Sequence, residues 1–141
     1  MRMLDTNILF NAQRRDAEHH KPCHAVLMEL IEGDEAYAVS DFALQGFMRV
    51  VTNRRIPGAT PFEVAREFAD GVRHQPHAVV VNAGSRHWDI FVKLCRQAGA
   101  TGNLVPDAYL AALAIEHGCE FVTCDRDFAR FEGLRWRSPL N

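Results

Sequence analysis

Short apolar runs suited to strands alternate with longer stretches of helical spacing from one end of this chain to the other. No other feature narrows the fold as much. Strand–helix alternation calls for an α/β architecture with a mainly parallel sheet, covered by helices on both faces through right-handed crossovers. The runs 2–5, 36–40, 77–82, 120–123 and 134–137 read as strands. Helices are expected from Thr6 to Ala12, and over 20–32, where Cys23, Val26, Leu27, Leu30 and Ile31 recur at helical spacing before Gly33. A third follows Ser40 or Asp41 and carries Phe42, Leu44, Phe47, Met48 and Val51. Thr60-Pro61-Phe62-Glu63 has the form of a capping box with proline at the first helical position, starting a helix that runs to about Arg73. Ser85 is placed to cap a helix that buries Trp88, Phe91, Val92 and Cys95. Pro106 opens another helix, Gly118 closes it, and 127–131 forms a short helical turn. No linker, repeat or low-complexity segment interrupts the pattern, so residues 1–141 read as one domain, long enough to bury a sizeable core.

The helix from Pro106 to His117 has almost no polar face: Ala108, Tyr109, Leu110, Ala111, Ala112, Leu113, Ala114 and Ile115 follow one another. A helix apolar all round is buried. In a domain this small, one side of it is expected to be covered by a second copy, giving a homodimer.

Three aspartates close short motifs at the places where an α/β fold gathers its ligands: Leu4-Asp5-Thr6-Asn7, Val105-Pro106-Asp107-Ala108 and Val122-Thr123-Cys124-Asp125. Asp5 and Asp125 follow strand-like runs, and Asp107 sits in the first turn of the apolar helix. Alone, each acid reads as a cap or a turn residue. Together they belong to one edge of the sheet, where ligands bind. Three carboxylates meeting there repel one another unless a cation lies between them. Oxygen ligands suit a hard ion, Mg²⁺ or Mn²⁺, and that ion suits chemistry on a phosphate ester. Asn7 and Thr123 are placed to orient ligands or water around the acids, and Asp127 to brace the turn after Asp125.

Other chemistries find less support. Ser40, Ser85 and Ser138 lack a G-x-S-x-G setting, and no G-x-G-x-x-G or Walker loop signals an organic cofactor. His19, His20, Cys23 and His24 have no complementary ligand pair for zinc and read as a solvated helix start with Cys23 packed inward. The four cysteines, Cys23, Cys95, Cys119 and Cys124, read as reduced thiols; Cys119 and Cys124 flank one strand and are the pair expected to lie close. No apolar run spans a membrane and no signal peptide is visible, so a cytoplasmic setting is expected.

The net charge of −2 does not by itself advertise nucleic acid. The basic residues are nonetheless lopsided: Lys21 and Lys93 are the only lysines among sixteen, leaving fourteen arginines. A GC-rich genome gives the same bias, so the clusters carry more meaning. Arg14-Arg15, Arg49 with Arg54-Arg55, and Arg126, Arg130, Arg135 and Arg137 are candidates for an electropositive rim, with Arg49, Arg54 and Arg55 as phosphate contacts.

The three acidic motifs, in this order and spacing, resemble the PIN domain and, more closely, the VapC toxins of bacterial toxin–antitoxin pairs. Phe47-Met48-Arg49-Val50-Val51-Thr52-Asn53 and Phe131-Glu132-Gly133-Leu134-Arg135-Trp136 fit the same pattern, which covers essentially the whole chain. The resemblance implies a PIN-like α/β/α sandwich with a central sheet of 4–5 strands and a Mg²⁺- or Mn²⁺-dependent endoribonuclease acting on structured RNA, a transfer RNA or a ribosomal RNA loop. It also implies a cognate VapB-type antitoxin. Asp5, Asp107 and Asp125 match three of the family's four acidic positions. The fourth, a glutamate in the helix after the second strand, falls on Gly46, which offers no side-chain ligand; Asp41 is the nearest acid. That departure leaves the number of metals open. It also keeps a second reading alive, an RNA- or antitoxin-binding module with weak or no cleavage. A metal-dependent phosphatase or DNA nuclease is a third.

Overall fold

A computed structural model describes residues 1–140. The elements follow the expected alternation: β1 (Arg2–Leu4), α1 (Thr6–Gln13), α2 (His20–Glu32), β2 (Tyr37–Ser40), α3 (Asp41–Val51), α4 (Phe62–Arg73), β3 (Ala78–Val81), α5 (His87–Ala98), α6 (Leu104–Glu116), β4 (Glu120–Val122), a 3₁₀ turn (Arg126–Arg130) and β5 (Trp136–Arg137). The five strands form one sheet in the order β3-β2-β1-β4-β5, parallel throughout. β1 is central, with Arg2 in register with Tyr37 on one side and Glu120 on the other. The chain leaves β1 toward β2 and β3, then returns to the other side of β1 as β4. The switch point where such folds place their ligands therefore lies between β1 and β4.

The apolar pattern explains the layers. Every residue of β2 is buried, as are Met3 and Leu4 of β1 and Phe121 and Val122 of β4, because these strands are covered on both faces. β3, at the edge, is less covered: Val79 is exposed, Ala78 and Val80 are partly buried, and only Val81 is buried. α1 packs on α2 and α3, α3 packs on α4, and α5 packs on α6, so two helix groups flank the sheet as an α/β/α sandwich. Each fully buried Leu, Ile or Phe in this core contributes about 1.5–3 kcal/mol. Tyr37 buries its ring in the central sheet and satisfies its hydroxyl by donating to the Val72 carbonyl at the end of α4. No helix among the described residues is long and apolar enough to cross a membrane.

Several local expectations are corrected. The Thr60 capping box does not form: α4 starts at Phe62, and the Thr60 hydroxyl donates to Gln13 instead. Ser85 does not cap α5. The Glu116 carboxylate reaches across from α6 and accepts the N–H groups of Gly84 and Arg86, at 2.8 and 3.0 Å. Trp88 is 66% exposed, since α5 turns His87 and Leu94 inward rather than the Trp88 stripe. The buried His87 ring accounts for this choice: Nε2 lies 3.0 Å from the Tyr109 carbonyl, and the ring stands edge-on to Tyr109. α6 begins at Leu104, so Pro106 is its third residue and Asp107 its fourth. Proline is tolerated there because the first-turn N–H groups have no helical partner. Finally, Ala108 and Leu110 to Ala114 are all buried within the one chain. The apolar helix is thus covered without a second copy and supplies no reason of its own for a dimer.

Candidate functional site

The site is built on the switch point. β1 ends at Leu4, the Asp5 N–H donates to the Val122 carbonyl of β4, and the chain turns directly into α1. Asp5 is the N-cap of that helix: Oδ1 accepts the Thr6 N–H at 2.7 Å, and Oδ2 accepts the Thr123 hydroxyl at 2.7 Å. Asp5 is only 5% exposed. Thr123, wholly buried, ties the two strand ends together, since its Oγ1 also accepts the Asp125 N–H at 3.0 Å and the Asn7 amide at 3.1 Å. Asn7 completes the ring by accepting the Cys124 N–H at 3.1 Å. The two residues expected to orient the acids are therefore the ones that join Asp5 to the Asp125 loop.

Asp125 caps the 3₁₀ turn, accepting the Asp127 N–H at 2.9 Å. Asp127 is exposed and pairs loosely with Arg130 at 3.7 Å. Asp107, half-buried in the first turn of α6, completes the set.

The electrostatics set this edge apart. Burial pushes the Asp5 carboxyl up to about 7; the hydrogen bonds from Thr123 and Thr6 oppose the rise, and the charges of Asp107 and Asp125 add to it. Asp107 is pushed up to about 6 by burial and by the charges of Asp125 and Asp127. Raising Asp5 from 3.8 to about 7 costs the fold on the order of 4 kcal/mol when the group is ionised. None of Asp5, Asp107 and Asp125 is paired with a Lys, Arg or His among the described residues. The acids sense one another's charge, yet no three Asp, Glu, His or Cys side chains close into a ready-made cage among the described residues. An all-oxygen, over-charged edge of this kind fits Mg²⁺, which binds through one or two carboxylates, several waters and substrate phosphate rather than through a full protein cage.

Gly46 lies against α1. A Cβ there would stand 3.2 Å from the Thr6 Oγ1 and 3.4 Å from its Cγ2, and the Thr6 hydroxyl donates to the Ala43 carbonyl. A side chain at this position would thus start in close contact with Thr6, the residue that follows Asp5. Asp41 does not stand in for a fourth acid: Arg73 of α4 holds both its oxygens, at 2.7 and 3.1 Å, and keeps its carboxyl below the usual range.

The expected basic rim is partly dismantled. Arg14 is a staple, donating to Asp16 and to the Pro57 and Gly58 carbonyls. Arg130, Arg135 and Arg137 bind Asp127, the Gly118 carbonyl and Glu120. Arg49, Arg54 and Arg55 are exposed and form no ion pair among the described residues, but they lie at and beyond the far end of α3, about 12 Å along the helix from Asp41. Arg126, beside Asp125, is exposed and unpaired among the described residues. A cleft of about 410 Å³ opens on the same edge, lined by Ser40, Phe42, Gln45, Asn82 and Tyr109, with the Phe42 and Tyr109 rings stacked at 4.6 Å. Residues 19–24 form the start of α2, with Cys23 packed inward, His24 exposed and His20 held by the Asn11 carbonyl. Reading the sequence missed one close pair altogether. Cys124 lies against Cys23, not Cys119, and a separation of 101 residues left no signal for it.

The family model described as PIN domain matches residues 2–134. The chain is 41% identical over 142 residues to "Ribonuclease VapC31" of Mycobacterium tuberculosis, covering 99% of this chain and 100% of that one. It is 39% identical over 140 residues to "Ribonuclease VapC25" of the same organism, covering 99% of each. Among solved structures, VapBC2 from Rickettsia felis, bound to a DNA fragment from its promoter, superposes with a TM-score of 0.72 at 20% identity over 97% of both chains. The Mycobacterium tuberculosis toxin VapC20, described as cleaving the sarcin–ricin loop, superposes with a TM-score of 0.69 at 16% identity, over 96% of this chain and 99% of that one.

Proposed function

Because the chain belongs to the PIN-domain family and is similar along its whole length to VapC ribonucleases, we propose that it is the toxin of a VapBC toxin–antitoxin pair and an endoribonuclease that hydrolyses phosphodiester bonds in structured RNA with Mg²⁺ or Mn²⁺. One observation carries this reading: a buried aspartate at the switch point, pushed up to about 7 with two further acids beside it and, among the described residues, no cationic side chain paired with it. A buried acid without a cationic partner is costly to the fold, and acids in that condition cluster at functional sites, where a bound cation relieves the charge.

Asp5, Asp107 and Asp125 would hold the ion. When bound, it supplies positive charge to a phosphodiester's transition state and makes water a stronger acid. The chain's own contribution is positioning. The Thr6 N–H and the Thr123 hydroxyl fix both Asp5 oxygens, leaving their remaining lone pairs free. Asn7 fixes Thr123 and the Cys124 peptide, and through them the Asp125 backbone. Arg126 is placed to meet a phosphate, and the stacked Phe42 and Tyr109 give the cleft an aromatic wall for an unpaired base. The partners are the RNA, a VapB-type antitoxin that covers the site, and a second copy of the chain, the last open to a direct mass measurement in solution.

A second reading rests on Gly46: with glycine, which offers no side-chain ligand, in place of the family's fourth acid, the protein binds RNA or antitoxin with weak or no cleavage. One experiment separates the two. Antitoxin-free protein and its Asp107→Asn variant are incubated with total RNA in Mg²⁺, Mn²⁺ or EDTA. Discrete fragments that need metal and vanish in the variant support the nuclease; intact RNA with a folded, RNA-binding protein supports the module.

A further inference from the structure

We propose that Cys23 and Cys124 form an oxidisable pair that closes reversibly into a disulfide and thereby disables the acidic edge. The two Sγ atoms lie 3.3 Å apart, although the residues are 101 positions apart and belong to different layers of contact: Cys23 to α2, Cys124 to the loop after β4. Cys23 is wholly buried, whereas Cys124 is half-buried and reachable from solvent. The other two cysteines have no such neighbour: Cys119 faces the His117 carbonyl, and Cys95 lies on α5. Ordinary packing does not require two sulfurs in contact beside a site.

The chemistry balances with a peroxide as oxidant. The Cys124 sulfur attacks one peroxide oxygen, the O–O bond breaks, and the other oxygen leaves as water with the thiol proton. The Cys23 sulfur then attacks the Cys124 sulfur of the resulting sulfenic acid. The S–O bond breaks, and the departing hydroxide takes the Cys23 proton as a second water. Both sulfurs are oxidised, both peroxide oxygens are reduced, and a dithiol restores the pair by exchange. Bond formation draws the sulfurs from 3.3 Å to about 2.05 Å. Cys23 sits on a helix packed against α1, so the loop yields. Cys124 lies directly between Thr123 and Asp125, and its N–H is held by Asn7. A displacement of about an ångström there carries Asp125 with it, enough to lower a rate by about 100-fold. The loss of cleavage rests on the nuclease reading above; the bond itself does not.

The test treats the reduced full-length protein with hydrogen peroxide, blocks remaining thiols, and maps the peptides, with RNA cleavage followed before and after a dithiol is added. The expected result is a peptide joining Cys23 to Cys124, loss of two of the four thiols, cleavage reduced about 100-fold and restored by the dithiol, and a Cys124→Ala variant that keeps its cleavage and an unmodified Cys23 under peroxide. Oxidation confined to Cys95 or Cys119, a bond between two molecules, or an oxidised form that cleaves at the reduced rate would overturn it. Should Cys124→Ala fail to fold, Cys23→Ala serves the peptide map: peroxide must then leave Cys124 as an oxyacid, joined to no other cysteine of the chain. If neither redox state cleaves RNA, the nuclease reading fails while the map still decides the bond.

Discussion

Asp5 and Glu116 are both covered carboxylates, both accept two hydrogen bonds, and both tie a helix end to a neighbouring segment. Their charges behave in opposite ways. Burial would raise the Glu116 carboxyl, but the Gly84 and Arg86 N–H groups and the adjacent His117 and His87 bring it below its usual value. Asp5 accepts one N–H and one hydroxyl, faces two more acids, and ends near 7. Burial alone therefore does not decide the charge of an acid. Burial without enough donors or cations to hold that charge raises the carboxyl above its ordinary value.

Substituting each acid separates the two conditions. Asp107→Asn and Asp5→Asn are expected to lower metal-dependent RNA cleavage by more than the ~100-fold typical of losing a group outside the metal's own ligands, measured as initial rates on a defined RNA. Glu116→Gln is expected to leave the cleavage rate alone and destabilise the fold by about 1–3 kcal/mol in urea denaturation, because an amide cannot accept both N–H groups. Loss of cleavage in Glu116→Gln, with stability intact, would erase the contrast.

Acid titration sharpens it further. The folded-state values of Asp5 and Asp107, about 7 and about 6, lie above the ordinary 3.8, so the folded chain binds these protons more tightly than the unfolded one. Metal-free protein should therefore gain stability as the pH falls from about 8 to about 5, and saturating Mg²⁺ should flatten that rise. Glu116 has the opposite sign: its contribution is present above the unfolded value of 4.5 and is lost as the pH falls through its lower folded value. Urea midpoints read every half unit of pH would show the rise followed by the fall, and a curve that only falls below neutrality would contradict the Asp5 assignment.

How much of this was readable in the sequence follows from the range over which each signal acts. The strand–helix alternation and the three acids near element ends are local patterns, and the alternation holds in the structure, with Asp5 and Asp125 just after β1 and β4 and Asp107 in the first turn of an α6 that starts two residues earlier than Pro106. The register of α5 was not readable, because Trp88-Phe91-Val92-Cys95 and His87-Ile90-Phe91-Leu94 are both apolar stripes at helical spacing; a hydrogen bond from His87 to a residue on another helix decides between them. Ser85 and Thr60 look like caps by composition, but the actual partners, Glu116 and Gln13, are thirty or more positions away. The Cys23–Cys124 contact lies beyond any local pattern for the same reason.

The smallest effects concern the periphery. Gly46→Ala should change stability by no more than about 1 kcal/mol, the gain in helix propensity being offset by the 3.2 Å approach to Thr6, with cleavage retained. Arg54→Ala with Arg55→Ala should reduce the salt dependence of RNA binding by about two phosphate contacts while leaving metal-dependent cleavage of bound RNA unchanged. An unchanged salt slope would remove them from the RNA interface.

The hydrogen bond from Thr123 to Asp5 spans 118 positions and joins the first strand to the next-to-last. During synthesis the chain folds from its amino end, and β1 has only β2 beside it until β4 emerges. Nothing made before residue 125 can present the three acids together. A polypeptide cut short anywhere before β4 therefore lacks the assembled carboxylate edge, and with it whatever chemistry that edge performs.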